Sequence, residues 1–383
     1  LLLFSSSSQA QNYLTGTRSV TFTDPSRSNR SIPTDLYYPA NTAGANVALA
    51  SGIDSFPVVV IGHGFSLTPA SYAKLADSIA RTGYIVALPN TETSISPSHD
   101  NFGKDIAFLA EAIPAQNAVS TSFLYQRVKP RSAVGGHSMG GGCSFLAAAS
   151  GKPEIKALFN FAAAETTPSA TAAAASVNFP TLIFAGSRDC IVPPATQLAM
   201  YNNTPAACKT YINITGATHC LVANNNGLCT FGQTTSGCNN PSITVDAYLI
   251  KTLSLLRPFL DYVLKENCFR GLDYFDTYLQ IAGVTDKLST CAPPSCSILP
   301  VSLLDFSGVY RLSMVDLSWQ TTGESEVLDY TVQKSQNGTD FTDAGHVNGQ
   351  GPGSHNYSST DLLPYPQITY YRLRSEEHTS ELQ

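Results

Sequence analysis

Charged side chains are scarce in this sequence of 383 residues, at 13% of the total, and the formal net charge is only -6. Without a basic excess, no surface could release the counterions of a nucleic acid, so we expect no nucleic-acid partner. Long apolar runs are also missing, since none reaches the roughly 20 residues that a membrane-spanning helix requires. Hydrophobic residues nevertheless make up 43%, which is enough for a substantial core. We therefore expect a folded protein without a membrane span.

Cysteine pairs at metal-binding spacing are missing as well. The nine cysteines include no Cys-x-x-Cys pair and have no histidine cluster beside them, so we expect no metal and no cofactor. Eight of the nine lie between positions 190 and 296, a density typical of disulfides formed in an oxidising compartment. Cys143 lies in an apolar run and is the expected free thiol. The expected pairs are Cys190 with Cys208, and Cys220 with either Cys229 or Cys238.

Both ends of the sequence differ from the rest. Residues 1–10 begin with three leucines and a phenylalanine and continue through serines to Ala10, like the end of a signal peptide with its small-residue cleavage site. This favours a secreted protein. Residues 374–383 match the translation of a common sequencing adapter and are expected to be an artefact without function, as in a sequence assembled from environmental DNA.

Short apolar runs alternate with helical stretches between residues 57 and 264, as at Pro57–Gly62, 71–81 and Tyr84–Leu88. This alternation predicts βαβ units on a parallel sheet. Two earlier segments, 19–23 and 34–38, alternate like antiparallel strands and should form one edge of the sheet. A last helix over 245–264 is expected to close this α/β domain, which we assign to residues 11–285.

A Pro-rich stretch then separates this domain from a β-rich remainder. Helices and central strands both avoid proline, so residues 286–300 are predicted to be a linker. Beyond it, short strands around Trp319, Tyr330 and Tyr371 alternate with turn signals. Residues 301–373 are therefore expected to form a small, incomplete all-β sandwich.

The most specific motif is Gly-His-Ser-Met-Gly-Gly at 136 to 141, between an apolar strand and an Ala-rich helical run. It has the form of a nucleophile elbow, in which a serine lies on a tight strand-to-helix turn. Small neighbours are needed because the backbone there is strained. Ser138 is the predicted nucleophile of an α/β-hydrolase.

A serine nucleophile requires a histidine base and a carboxylate that orients it, in the chain order Ser, acid, His. Asp189 and His219 each follow a predicted strand and satisfy this order. The oxyanion hole needs one amide from the residue after the nucleophile and one from the loop after the third strand. Met139 and Phe65 occupy those places. The rival acid is Glu165, and the rival bases are His63, His99 and His137.

The segment between the sixth strand and the strand that precedes the acid is too short for a large lid. It consists of residues 162–179, rich in Ala, Ser and Thr, which predicts a loop or one short helix. The site is therefore expected to be open to bulky or polymeric esters.

With these motifs in place, residues 58–264 resemble the cutinase and polyester (PET) hydrolase group, which is related to dienelactone hydrolases. The resemblance implies oxyanion-hole and substrate-binding roles for Phe65 and a substrate-binding role for Ile191, beside the acid. Well-known members carry a tryptophan after the sixth strand, where this chain has Thr166 and Thr167. Those threonines are expected to contact substrate with weaker stacking on an aromatic ring.

The β-rich remainder resembles the fibronectin-like modules of bacterial proteins exported by the type IX route, which implies export or display on the cell surface. We expect a secreted, monomeric serine esterase that acts on aromatic polyesters and on short-chain esters. A lipase or esterase for small soluble or lipid esters is the alternative. A noncatalytic surface-binding protein is a remote third hypothesis.

Overall fold

The computed structural model describes residues 13–51, 55–224, 227–296, 302–311, 313–324, 327–351 and 353–377. They form two compact units that divide between Pro294 and Ser295. The predicted signal-peptide remnant at 1–10 and the last six residues of the predicted adapter segment, 378–383, lie outside the described residues.

The larger unit is built on a ten-stranded sheet in the order β10-β9-β8-β7-β6-β4-β5-β2-β1-β3. The strands from β5 across to β9 are parallel, and the pairs β5–β2, β2–β1 and β9–β10 are antiparallel. The strands are β1 (Leu14–Asp24), β2 (Arg30–Ala40), β3 (Gly44–Ala45), β4 (Phe56–Gly62), β5 (Ile85–Pro89), β6 (Val128–His137), β7 (Ile155–Phe161), β8 (Thr181–Gly186), β9 (Lys209–Ile214) and β10 (Val284–Ser289).

Helices cover both faces of the central strands, because these strands are buried over most of their length. In β4 the run Phe-Pro-Val-Val-Val-Ile-Gly is buried at every position. One core cluster contains side chains of α2 and α3, and the other contains side chains of α1 and α7. The helices are α1 (Ala73–Ala80), α2 (His99–Ala115), α3 (Met139–Ala148), α4 (Ala170–Ala174), α5 (Pro194–Asn203), α6 (Gly227–Thr235), α7 (Val245–Leu264) and α8 (Cys268–Gln280).

The larger unit extends further along the chain than predicted. Helix α7 does not close it, because α8 follows and β10 then adds an antiparallel edge strand beside β9. The first four residues of the predicted linker, 286–289, therefore belong to a strand. As an edge strand, β10 contains only two apolar residues in Val-Thr-Asp-Lys-Leu-Ser and lacks the apolar run that marks the central strands.

The smaller unit is all-β and contains two three-stranded antiparallel sheets, in the orders β11-β12-β15 and β14-β13-β16. Rings from both sheets share one core, where Trp319 stacks on Tyr357 and meets Tyr330 edge-on. Residues 374–377, predicted to be an adapter artefact, form the end of β16. The strands are β11 (Ser302–Arg311), β12 (Met314–Glu324), β13 (Val327–Ser335), β14 (Thr342–Asn348), β15 (Gly353–Asp361) and β16 (Tyr370–Glu377).

The disulfides correct one predicted pair and decide another. The predicted bond of Cys190 to Cys208 is wrong, because Cys208 lies just before β9 and faces Cys291, just after the antiparallel strand β10. Of the two partners considered for Cys220, Cys229 is correct. The bonded pairs are Cys190–Cys238, Cys208–Cys291 and Cys220–Cys229, and Cys268 and Cys296 are also disulfide-bonded. Among the described cysteines, Cys143 is free and buried, as predicted.

Candidate active site

Ser138 lies at the turn between β6 and α3, with a backbone that L-residues rarely adopt. Its φ and ψ are 55° and -119°, a strained region that persists only where the surrounding structure enforces it. The enforcement comes from hydrogen bonds on both sides: the amide of Ser138 donates to the carbonyl of Phe161, and its carbonyl accepts from the amides of Gly142 and Ala164. The serine is thus held at the carboxyl edge of the parallel strands.

The glycines of the elbow are required by close backbone approach. A Cβ on Gly136 would lie 2.5 Å from the backbone of Gly140, and a Cβ on Gly140 would overlap the carbonyl of Gly62. Either side chain would push α3 away from β4 and β6. The motif is therefore needed to bring the helix, with its positive N-terminal end, directly behind Ser138.

Ser138, His219 and Asp189 form one continuous hydrogen-bonded row. Nε2 of His219 lies 2.8 Å from Oγ of Ser138, and Nδ1 lies 2.7 Å from Oδ2 of Asp189. Since the carboxylate can only accept, Nδ1 carries the proton and Nε2 accepts from the serine hydroxyl. All three side chains are buried. The imidazole is therefore in the tautomer that can take the proton of Ser138.

Asp189 is fixed by the loop that follows β8. Its Oδ1 accepts hydrogen bonds from the amides of Ile191 at 3.0 Å and Val192 at 2.8 Å, which leaves Oδ2 for His219. The carboxylate thus uses both oxygens and is oriented before any substrate arrives. This is the arrangement expected of a group that holds a histidine in one tautomer.

The two predicted oxyanion-hole amides are available. No hydrogen bond among the described residues uses the N–H of Phe65 or of Met139. The amide of Gly140 donates to the carbonyl of His63 at 3.0 Å, which ties the loop after β4 to the start of α3. Two unused donors beside a nucleophile suit an oxyanion, the species in which negative charge develops.

A cavity of about 320 Å³ opens at this row of side chains. Of the predicted substrate-binding residues, it brings together Phe65 and Ile191. Thr166 and Thr167 are not among the described residues that line it. The Thr166 side chain is buried against Gly142 on α3, and the Thr167 amide donates to His99. The lining residues are Gly64, Phe65, Ser66, Leu67, His137, Ser138, Ile191, His219, Leu228, Cys229 and Gly232.

The rival acid and bases are engaged elsewhere. Glu165 accepts from the hydroxyl of Thr171, and His99 accepts from a backbone amide. The ring of His63 lies between the carbonyls of Gly64 and Thr91. Burial lowers the pKa of His63, and it lowers that of His137 well below the usual range, so the ring of His137 is neutral at neutral pH. None of the four shares a hydrogen bond with Oγ of Ser138.

Sequence reasoning missed one wall of the cavity, helix α6. The segment between the sixth strand and the acid is short, as expected, with only the five residues of α4. The segment after His219 instead contributes Leu228, Cys229 and Gly232 to the lining. The signal was the pair of apolar residues, Leu228 and Phe231, beside closely spaced cysteines. The site therefore has no large lid before the acid, and residues of α6 complete its lining.

Within the described ranges, no group of three or more His, Cys, Asp or Glu side chains could hold a metal ion. No described helix is long and apolar enough to cross a membrane.

Comparison with known proteins gives a consistent set of relatives. The profile of a family described as PETase, PET hydrolase-like, matches residues 8–235. Cutinase 1 of Thermobifida cellulosilytica is 34% identical over 188 residues, which are 48% of this chain and 64% of that protein. A cutinase of Thermobifida fusca is 34% identical over 188 residues, covering 56% of its length. The bis(hydroxyethyl) terephthalate hydrolase of Streptomyces coelicolor is 28% identical over 187 residues, covering 54%. The chain spans less than two thirds of the length of these curated relatives.

Proposed function

The chain belongs to the PET hydrolase-like family, and from this premise we propose that it is a secreted serine carboxylic-ester hydrolase that acts on aromatic polyesters and short-chain esters. The observation that carries the proposal is the row Ser138, His219 and Asp189 at the edge of a cavity, with two unused amides beside the serine. The larger unit then corresponds to an α/β-hydrolase without a large lid.

In the first half of the reaction, Oγ of Ser138 attacks the ester carbonyl carbon while Nε2 of His219 takes the hydroxyl proton. The oxyanion that forms accepts hydrogen bonds from the amides of Phe65 and Met139. Asp189 stabilises the imidazolium and stays ionised. Collapse of the tetrahedral species breaks the bond to the alcohol, which leaves with the proton from His219.

In the second half, water attacks the acyl-serine ester and gives a proton to His219. The same two amides stabilise the second oxyanion. Its collapse releases the carboxylic acid and returns the proton to Oγ of Ser138. Atoms balance to one ester and one water consumed, with one acid and one alcohol released.

The exposed apolar rim supports the polyester part of the proposal. Phe65, Ile191 and Leu228 all line the cavity, and all three are exposed. An aromatic acid unit could therefore lie against apolar groups while its ester carbonyl reaches Ser138. A polymer chain could continue over the rim, since no large lid closes the site.

A small-ester hydrolase remains the second candidate function. The cavity of about 320 Å³ is at the small end of the usual range for ligand sites. The described part of the chain up to α8 also contains no tryptophan that could stack on a terephthalate ring. Both features favour compact esters.

The decisive experiment compares Ser138→Ala with Ser144→Ala, since both serines are buried and the Ser144 hydroxyl donates to the carbonyl of Gly141 within its own helix. We expect Ser138→Ala to lose nearly all hydrolysis of p-nitrophenyl butyrate and Ser144→Ala to retain it. Product release from amorphous PET film by the unaltered chain separates the two substrate classes. Activity in Ser138→Ala would refute the mechanism, and hydrolysis of butyrate without any release from film would leave the small-ester function.

Secretion and the role of the smaller unit complete the proposal. Eight disulfide-bonded cysteines support folding in an oxidising compartment, outside the cytosol. The smaller unit is proposed to be a fibronectin-like module that takes no part in the chemistry, because every residue of the row lies in the larger unit. The chain is proposed to act as a monomer.

A further inference from the structure

Two buried side chains next to the nucleophile have no role in the mechanism above. Tyr72 is fully buried near the start of α1, and His137, the residue before Ser138, is 1% exposed. The amide of Gly64 lies 2.8 Å from the Tyr72 hydroxyl, which lies 2.8 Å from Nδ1 of His137. Nε2 of His137 lies 2.8 Å from the backbone carbonyl of His219. These contacts form one uninterrupted chain.

The two ends of the chain fix the direction of every hydrogen bond in it. The Gly64 amide can only donate, and the His219 carbonyl can only accept. Nε2 of His137 therefore carries the proton, and Nδ1 of the neutral ring accepts from the Tyr72 hydroxyl. That hydroxyl in turn accepts from Gly64. Each buried polar group is satisfied in this one arrangement, so the chain has no alternative orientation to sample.

The two ends of this chain of hydrogen bonds lie at the oxyanion-hole loop and at the base, whose relative position the reaction requires to be fixed. Gly64 precedes Phe65, whose amide is one of the two oxyanion donors. His219 is the base, and its ring centroid lies 4.8 Å from that of His137. Because His137 is bonded covalently to Ser138, the chain links the hole loop, the nucleophile and the base through a single set of contacts.

We propose that Tyr72 and His137 are positioning residues that set the spacing between the oxyanion amide at Phe65 and the base His219. The inference rests on the proposed ester hydrolysis and adds to it a requirement for two groups outside the row of Ser138, His219 and Asp189.

The charge state of His137 agrees with this role. Burial lowers the pKa of His137 well below its usual range, and the neighbouring His219 lowers it further. Burial also raises the pKa of Tyr72, so its hydroxyl keeps its proton. When His219 becomes an imidazolium during the reaction, a neutral neighbour adds no repulsion to the transition state.

The first test compares Tyr72→Phe with Tyr274→Phe on p-nitrophenyl butyrate. Both tyrosines are buried and both hydroxyls donate or accept within the interior, but the Tyr274 hydroxyl donates to Thr210 on β9, outside the site. Tyr72→Phe leaves the Gly64 amide and Nδ1 of His137 unpaired. We expect kcat to fall about tenfold or more with KM nearly unchanged, since small misplacements of reacting groups cost up to about a hundredfold. Tyr274→Phe should keep kcat and KM unchanged and should only lower the melting temperature.

The second test compares His137→Gln with His137→Leu, so that the conclusion does not depend on one variant. Glutamine can place an N–H near the former Nε2 and donate to the His219 carbonyl, whereas leucine cannot. We expect the glutamine variant to retain several-fold more kcat than the leucine variant.

Equal kcat in Tyr72→Phe and Tyr274→Phe, or equal kcat in the glutamine and leucine variants, would overturn the inference while leaving ester hydrolysis in place. A change confined to KM would do the same. An unaltered chain that hydrolyses no ester would instead overturn the proposed function.

Discussion

The disulfide between Cys220 and Cys229 should affect substrate binding, through the position of α6 in the cavity wall, more than it affects the chemical step. It begins directly after His219 and ends within α6, with a sequence separation of 9. Of the nine residues of α6, only Gln233 is buried, and Leu228 and Phe231 are 66% and 67% exposed. The contacts that fix the helix include its disulfide and the hydrogen bond from the Cys220 amide to Gln233, while most of its side chains stay outside the core.

Replacing both cysteines by serine removes a short covalent loop. For a loop of this length, the chain-entropy relation gives about 2.6 kcal/mol of stability, which corresponds to roughly 5 °C in melting temperature for a domain of this size. The Ser138, His219 and Asp189 contacts do not involve either sulfur. We therefore expect kcat on p-nitrophenyl acetate to be retained and KM on bis(hydroxyethyl) terephthalate to rise several-fold, because Leu228 no longer faces the cavity.

The matched control is the pair Cys208→Ser and Cys291→Ser. Its disulfide closes a separation of 83 and lies at the start of β9, the end of the strand away from His219. The same relation gives a larger stability loss, about 4.5 kcal/mol. Thermal melts should show a lower melting temperature for the control than for the 220/229 variant. Steady-state kinetics should show an unchanged KM for the control and a raised KM for the 220/229 variant. An unchanged KM in the 220/229 variant, or a collapse of its kcat on acetate, would refute the reasoning.

Three further outcomes are expected. Phe65→Ala should raise KM on an aromatic ester roughly three- to tenfold, the value of one ring contact of ~0.5 to 1.5 kcal/mol, and should leave acetate hydrolysis unchanged because the amide remains; equal losses on both would show that the ring does not touch substrate. A fragment ending at residue 299 keeps the whole site and all disulfide-bonded cysteines, and should match the full chain on p-nitrophenyl butyrate; an inactive folded fragment would contradict this. Since the folded pKa of His137 lies below the unfolded value of about 6.5, the unfolded chain binds more protons below that pH, and stability should fall as pH drops through it. Between neutral and mildly acidic pH, the melting temperature should drop less for His137→Gln than for the unaltered chain.

The elements of the larger unit were predictable where burial is strongest. Strands that are buried on both faces, such as β4, appear in the sequence as apolar runs. Helix α7 appears as apolar residues at the helical period. The edge strand β10 was missed because its solvent side is polar, so its residues read as the start of a Pro-rich linker. The connectivity of the cysteines was also beyond prediction, because it depends on which loops the sheet order brings together.

The residues of the row were easier to find than those of the cavity. Ser138, Asp189 and His219 each follow a strand, so chain order and the geometry of a parallel sheet are enough to propose them. Thr166 was assigned by analogy of position, and its side chain turns out to pack on α3. Nothing in the sequence indicated a functional role for Tyr72, since a tyrosine in an amphipathic helical stretch is usually interpreted as a core residue. Its role depends on the distance to His137, which only the folded chain defines.

Two disulfides connect the loops of the site to the segment that contains α6. Cys190 directly follows Asp189 and Cys220 directly follows His219, and their partners, Cys238 and Cys229, belong to the same short segment. The loops that carry Asp189 and His219 are thus cross-linked to one short segment, although each follows a different strand. Because that segment buries little surface, packing alone could not hold it, and covalent bonds supply the constraint instead. The same bonds that fix the wall of the cavity therefore also restrict the motion of the residues next to Asp189 and His219.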